Sequence, residues 1–420
     1  MSTSDSKTGT FAGKHFVIVS IHYSPEETGI GPYSAGTAEY LASQGARVTV
    51  LTTMPFYPQW KTRDEYRRSL ISKETHNGVE IRRIRQYIPT KQSAARRAIY
   101  ELTFLGTLLR APWKSKPDAV IGIIPSLSGG IVARAFARLQ RIPYGIIVQD
   151  LSGQAAVQSG IAGGSRIARI TSAIEGAVCR RAKRVAVVAP AFREPLKAMG
   201  VDSSSITEIR NWSHVRPPDA DRAVTRTQLR WNASDFIVLH AGNMGLKQGL
   251  EHLIDAARVV ETELPKVRFI LMGDGNQRAF LEQRAAGHAN VTFMELVPSS
   301  AFANVLAAAD VLLVHERVSV TDMSLPSKLT SYFTAGRPVV AAVNPNGATA
   351  QEIDRASAGK VIPAEDSLAL VHALRELLTN EAAARTYARA ASVFAENHLS
   401  RVAAENAINL FVTPLSTSIL

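Results

Sequence analysis

Apolar positions along this chain fall into short runs separated by stretches with helical spacing. Residues 15–21 (His-Phe-Val-Ile-Val-Ser-Ile) form one such run, a single strand's length, as expected of a strand buried on both faces. A glycine-bearing loop follows, then helical spacing from Ser34 to Gln44, then Gly45 and a second apolar run, Arg47 to Thr52. The alternation continues with strands at Ala119–Ile123, Tyr144–Val148 and Arg184–Val188 and helices near Gly130–Leu139 and Ile167–Arg181. After the polar stretch Pro217–Arg230 it begins again. Strands are predicted at Phe236–His240, Arg268–Met272, Val291–Phe293, Val311–Val314 and Val339–Val343, and helices at Leu250–Glu263, Leu368–Leu378 and Glu381–Glu396. Strands separated by helices predict an α/β protein with two Rossmann-like, doubly wound parallel-sheet domains facing a cleft. The predicted divisions are a disordered tail over 1–14, a first domain over 15–216, a second over 217–395, and a C-terminal helix or tail over 396–420 that packs back on the first. Ligand groups are expected at the carboxyl ends of the strands.

A length of 420 residues, 46% of them hydrophobic and 20% charged, fits two medium globular domains and excludes a disulfide scaffold or a disordered chain. The single Cys179 fits a reducing compartment. Net charge is +12, and it is uneven: residues 1–216 hold 30 Lys and Arg against 15 Asp and Glu, whereas the remainder is net −3. The surplus gathers between Lys61 and Arg97, including Arg82, Arg83 and Arg85, just before the apolar stretch Ala98–Leu109 with Tyr100 and Trp113 near its ends. That stretch is too short to cross a bilayer, but a basic segment joined to an apolar helix suits the surface of an anionic membrane. An ordinary core helix fits equally well. With no signal peptide in view, the sequence predicts a cytoplasmic protein, peripheral to the inner face of the cell membrane.

Several loops carry chemistry. The first strand ends in His22-Tyr-Ser-Pro-Glu-Glu-Thr-Gly29-Ile-Gly31, where glycines at a strand end open a helix and let amides approach an anion. It lacks the dinucleotide-binding spacing, and Thr52, Thr53 and Met54 stand where an acidic residue would follow, which argues against a nicotinamide dehydrogenase. The matching loop of the second half, Gly242-Asn243-Met-Gly245-Leu-Lys247-Gln-Gly249, puts a lysine beside a glycine-rich turn, as a diphosphate requires. Gly273-Asp274-Gly275 ends the next strand, and Leu325-Pro326-Ser327-Lys328 begins a short helix. Three such loops in one domain suggest a nucleotide site. The histidines show no paired metal-ligand spacing, and no strand leads into a Gly-x-Ser-x-Gly elbow, so metal hydrolysis and serine hydrolysis find no support.

The ordered set Tyr23-Ser-Pro-Glu-x-Thr-Gly-Ile-Gly31, Pro55-Phe-Tyr-Pro-Gln-Trp60, Val148-Gln-Asp150, Asn211-Trp-Ser213, Gly242 to Gly249 and Leu325-Pro-Ser-Lys-Leu-Thr330 resembles retaining glycosyltransferases of family 4, above all their colanic-acid branch. The resemblance spans residues 15 to 400 and implies a GT-B fold, with an acceptor domain followed by a nucleotide-sugar domain. It implies that Lys247 neutralises the donor diphosphate, with Gly242, Asn243, the backbone of Gly29 to Gly31, and Leu325, Pro326, Ser327 and Lys328 completing the cradle. Asn243 stands near the place where many relatives carry an arginine. Gly273, Asp274 and Val297 lie beside the base and ribose, and Asp150 with Gln149 meets the transferred sugar or acceptor. Many relatives have His-Asp there, so Gln149 departs from the pattern. Met323 and Ser331 occupy the positions of the two glutamates usual in the family, leaving Asp322, Glu316 and Ser327 as substitutes. Tyr23, Arg82, Arg83 and Arg85 are assigned to the acceptor and membrane side.

The implied donor is UDP- or GDP-linked, with no further cofactor and no metal, and the implied acceptor is a saccharide on a lipid diphosphate. Developing charge on the leaving phosphate is stabilised by Lys247 and loop amides while an acceptor hydroxyl attacks from the leaving-group face, so that no enzyme nucleophile is needed. A nucleotide-sugar epimerase of the same fold is the competing enzyme class. A basic nucleic-acid binder is disfavoured, because the basic runs lack interleaved stacking aromatics.

Overall fold

A computed structural model describes residues 9–89, 93–151, 164–320 and 327–417. The chain forms two units, Met1–Asn211 with Ala404–Leu420, and Trp212–Ala403. The division falls at Asn211 rather than at the Pro217-Pro218 pair. Trp212 is buried and the Ser213 amide donates to the Leu399 carbonyl (2.8 Å), so residues ahead of the prolines already belong to the second unit.

The first unit is built on an eight-stranded sheet: β1 (His15–Ser20), β2 (Arg47–Thr53), β3 (Ile71–His76), β4 (Val79–Ile84), β5 (Ala119–Ile124), β6 (Tyr144–Val148), β7 (Arg184–Val187) and β8 (Ile206–Glu208). Their order across the sheet is β3-β4-β2-β1-β5-β6-β7-β8. β1, β5 and β6 are buried along their whole length, which is why they read as unbroken apolar runs. Helices α1 (Gly31–Ser43), α2 (Ala94–Phe104), α3 (Leu127–Gln140), α4 (Gly164–Cys179) and α5 (Arg193–Ala198) connect them. The hairpin β3–β4 is antiparallel and adds two strands that the apolar runs do not predict. β3 is polar and largely exposed and gives no apolar run; its signal is the turn Asn77-Gly78, both with positive φ (49° and 78°), a pairing that favours tight hairpins.

The second unit carries α6 (Arg222–Gln228), β9 (Phe236–Ala241), α7 (Glu251–Glu263), β10 (Val267–Met272), α8 (Arg278–Arg284), β11 (Val291–Met294), α9 (Ser299–Ala308), β12 (Val311–His315), α10 (Ser327–Thr334), β13 (Val339–Val343), α11 (Ala348–Ala356), β14 (Gly359–Pro363), α12 (Ser367–Thr379) and α13 (Glu381–His398). Its sheet, β11-β10-β9-β12-β13-β14, is parallel throughout. Apolar cores cover both faces. The final helix α14 (Arg401–Ser416) passes from one unit to the other at Ala404. Its Phe411 and Leu415 fill the space over Gly145 of β6, where an added Cβ would come within 2.6 Å of the Phe411 ring. That contact is why β6 carries a glycine at a buried position.

At the amino ends of the second sheet, Asp310 bonds Arg222 and Arg226 and accepts the Ile237 amide (2.7 Å). Arg337 faces the same group, and burial, reinforced by Arg222, pushes its guanidinium down to about 10. Arg226 is itself buried. Asp310→Ala leaves these guanidinium groups without their shared carboxylate and is expected to lower stability by about 3 kcal/mol, read from a shifted denaturant midpoint at unchanged slope.

Candidate active site

In open sheets of this kind the crevice for a ligand lies where strand order reverses. In the second unit that point is between β9 and β12. β9 runs into Gly242, whose φ is 129°, and β10 into Gly273 and Gly275, with φ of 141° and 156°. The two loops interlock. A Cβ on Gly273 would lie 2.0 Å from the Gly242 carbonyl oxygen, and one on Gly275 would lie 2.4 Å from that of Met244. Their amides are spent on the same packing: Gly242 donates to Met272, Met244 to Asp274 (both 2.8 Å) and Gly273 to Met294 (3.0 Å). The glycines therefore serve loop packing, and what this end of the sheet can offer an anion is a side-chain charge.

Lys328 is the side chain best placed for it. Its Cε and Nζ lie over Gly242, each 3.8 Å from where a Cβ would stand. One turn on, the buried hydroxyl of Tyr332 accepts the Ala241 amide (2.9 Å), which anchors α10 to the end of β9 and fixes Lys328 above it. Burial pushes the Lys328 ammonium down to about 8, against an upward pull from Glu316. Glu316, at the end of β12, also accepts the Thr349 hydroxyl (3.3 Å). His240 is fully buried beside this group, and burial, aided by Lys328, holds its imidazole neutral. Lys247 is exposed on the turn Leu246–Gln248, and its carbonyl accepts the Arg317 amide (2.9 Å). Arg317 also donates to the Leu246 carbonyl (2.8 Å) and pairs with Glu251, so it ties the loop after β12 to the loop after β9. Nothing in the sequence spacing points to Arg317 or Tyr332 in these roles, because their partners are distant along the chain.

The other residues assigned to the donor are more peripheral in what they touch. Asn243 and Asp274 are exposed; Asn243 donates to the Gln248 side chain (3.3 Å), and Asp274 caps the Gly275 amide (2.8 Å). Val297 packs against the apolar core. Leu325, Pro326, Asp322, Met323 and the side chain of Ser327 lie outside the described residues. Ser331 stands one residue before the anchoring Tyr332.

In the first unit strand order reverses between β1 and β5. Gly29 has φ 68°, and a Cβ added to it would lie 3.1 Å from the Tyr57 ring; Gly31 begins α1 against Glu26. α1 has no side-chain cap and no acidic residue in its first turn; Pro32 lacks an N–H, and the Tyr33 (3.1 Å) and Ser34 (3.0 Å) amides donate to the Ile30 carbonyl. At the end of β6, Gln149 accepts the Asn211 amide (2.8 Å), and the Asp150 carboxylate accepts the Leu151 amide (2.8 Å).

Two acceptor-side assignments are corrected. Tyr23 is buried in the apolar core, where desolvation pushes its hydroxyl up, and it offers no surface. Arg83 is buried as well: it pairs with Glu74, donates to the Thr53 (3.2 Å) and Ser24 (2.5 Å) carbonyls and stacks on Tyr66. Arg85 is half-buried and turned onto the Tyr66 and Arg67 carbonyls. Arg82 joins Arg47 and Lys73 around Glu80. Charged residues in a run look alike in sequence, and only the partners folded against them separate a buried arginine from a surface one.

Residues 28–212 match the glycosyl transferase 4-like domain, and residues 235–380 match the glycosyl transferases group 1 domain. The chain is 31% identical over 332 residues to the colanic acid biosynthesis glycosyl transferase WcaI of Escherichia coli, covering 76% of this chain and 81% of that one. Among solved structures it resembles sucrose-phosphate synthase from Thermosynechococcus elongatus (TM-score 0.70, 19% identity, 96% and 99% of the two chains). It also resembles Anabaena HepE in complex with UDP (TM-score 0.68, 16% identity, 96% and 100%). With this fold and these two domains, the chain belongs to the GT-B glycosyltransferases that join a glycosyl transferase 4-like domain to a group 1 domain.

Proposed function

We propose that the protein moves a sugar, with retention of configuration, from a UDP- or GDP-linked donor to a saccharide on a lipid diphosphate during extracellular polysaccharide or glycolipid synthesis. The observation that carries this is Lys328 held over Gly242 at the point where strand order reverses, in a chain 31% identical to a colanic acid transferase. The UDP complex of HepE supports a nucleotide-linked donor. Lys328 and the exposed Lys247 supply positive charge to the leaving diphosphate. A phosphate oxygen takes the acceptor proton as its hydroxyl attacks, so the nucleotide sugar is the co-substrate and no further cofactor or metal is invoked. Labelled nucleotide sugars incubated with the protein and membrane extract test the proposal: a labelled glycolipid is expected, whereas an isomerised donor would identify an epimerase.

The acceptor's lipid anchor draws support from the first unit. α2 and the turn Leu105–Arg110 bury Tyr100, Phe104 and Thr107 but leave Leu102 (63%) and Leu109 (81%) exposed, with Ile99 and Trp113 also showing. Arg47, Lys73 and Arg82 around the single Glu80 add net positive charge, and Arg82 donates to the Arg110 carbonyl (2.8 Å), which places the two features side by side. An apolar face rimmed by cations fits peripheral contact with an anionic membrane at the cytoplasmic face. Among the described residues no helix is long and apolar enough to cross a membrane.

Three outcomes follow from these assignments. Lys247→Ala lowers turnover by about 100-fold at saturating donor, since it removes charge that matters most in the transition state. Because Lys328 titrates near 8, its ammonium is present below that pH and lost above it. Donor affinity, measured by calorimetry, therefore falls as pH rises through 8, by up to about tenfold per unit, and K328R flattens the fall. The pair L102D and L109D, made together, weakens cosedimentation with anionic phospholipid vesicles by about fivefold or more while donor affinity stays unchanged.

A further inference from the structure

The loop after β2, residues 54–63, holds two half-exposed rings, Tyr57 and Trp60, beside the imidazole of His22. Ring centroids lie 5.3 Å apart for His22 and Tyr57 and 6.4 Å for Tyr57 and Trp60, with Phe56 and Tyr100 buried beneath. The arrangement is fixed from below by Glu26. Its carboxylate is buried, accepts the amides of Phe56 (3.0 Å) and Tyr57 (2.9 Å), and bonds His22 Nδ1 (2.8 Å). Among the described residues nothing bonds His22 Nε2, which is left for an outside partner.

Trp60 has a φ of 52°, a left-handed backbone that a bulky side chain adopts only under strain. The loop is closed around it, since the Lys61 amide donates to Phe56 (3.2 Å) and the Arg63 amide to Pro55 (3.0 Å), while the Arg63 guanidinium reaches the Pro25 carbonyl (2.8 Å). A glycine would hold the same turn without strain. One side of the indole covers Phe56 and Tyr100, and the rest of the ring is left half-exposed.

We propose that Tyr57, Trp60 and His22 form a subsite for the acceptor saccharide. The aromatic rings lie against the C–H face of a pyranose, whose faint positive charge suits the negative face of a π-system, and His22 Nε2 hydrogen-bonds one of its hydroxyls. Glu26 is a positioning residue that acts through His22. Tyr57 packs on Gly29, so the subsite adjoins the loop that leads to the start of α1. The subsite rests on the transferase function proposed above, which fails separately: if the wild-type protein makes no glycolipid from any nucleotide sugar, that function is wrong whatever the rings bind.

Trp60→Gly tests the subsite without straining the turn. With labelled donor and a dilution series of membrane extract, W60G is expected to raise the apparent KM for extract about tenfold and leave the donor KM within about twofold, while W60F recovers most of the loss. H22A is expected to lower kcat about tenfold with donor KM unchanged. Saturation-transfer NMR with a panel of methyl pyranosides needs no turnover: signals are expected in wild type and W60F and lost in W60G. An unchanged KM for extract in W60G, a rise in donor KM instead, or no pyranoside signal in wild type would each overturn the subsite.

Discussion

Strands buried on both faces leave a chain few places for polar chemistry, and both units here obey that constraint. β1, β5, β6, β12 and β13 are buried end to end, so polar groups with work to do collect in the loops at the carboxyl ends. Those loops must also satisfy their own amides, because an orphaned buried amide is costly. The units solve this differently. In the second, the loop amides donate to carbonyls of the neighbouring strand ends and loop, and Lys328 on a nearby helix sets an ammonium over Gly242. In the first, a buried carboxylate, Glu26, gathers the amides of Phe56 and Tyr57 and orients an imidazole with what remains.

Much of this is legible in the sequence. Parallel strands announce themselves as apolar runs, and those of β6 and β13 mark their strands to the residue. The β3–β4 hairpin escapes because Ile71–His76 is solvent-facing and polar, and its evidence is a two-residue turn. The site divides along the same line. Lys247 and the glycine loops stand out because they follow strands, and Lys328 because it opens a helix, whereas the burial of Arg83 and Tyr23 and the anchoring by Tyr332 depend on partners that chain order does not reveal.

Charge shows how far a count can mislead. The first 216 residues carry a surplus of +15. Part of it is internal, for Arg83 holds the loop before α1 to the edge of the sheet and Arg85 holds the chain near Tyr66. Other members of it, among them Arg68, Arg97, Lys114 and Lys116, are exposed, and the group around Glu80 is set beside exposed leucines.

The contact between Gly242 and Gly273 has an entropic meaning. Two loops that occupy each other's side-chain space behave as one rigid part, so neither has to be ordered when a ligand arrives. Association at that end of the sheet then spends no conformational freedom on ordering these two loops.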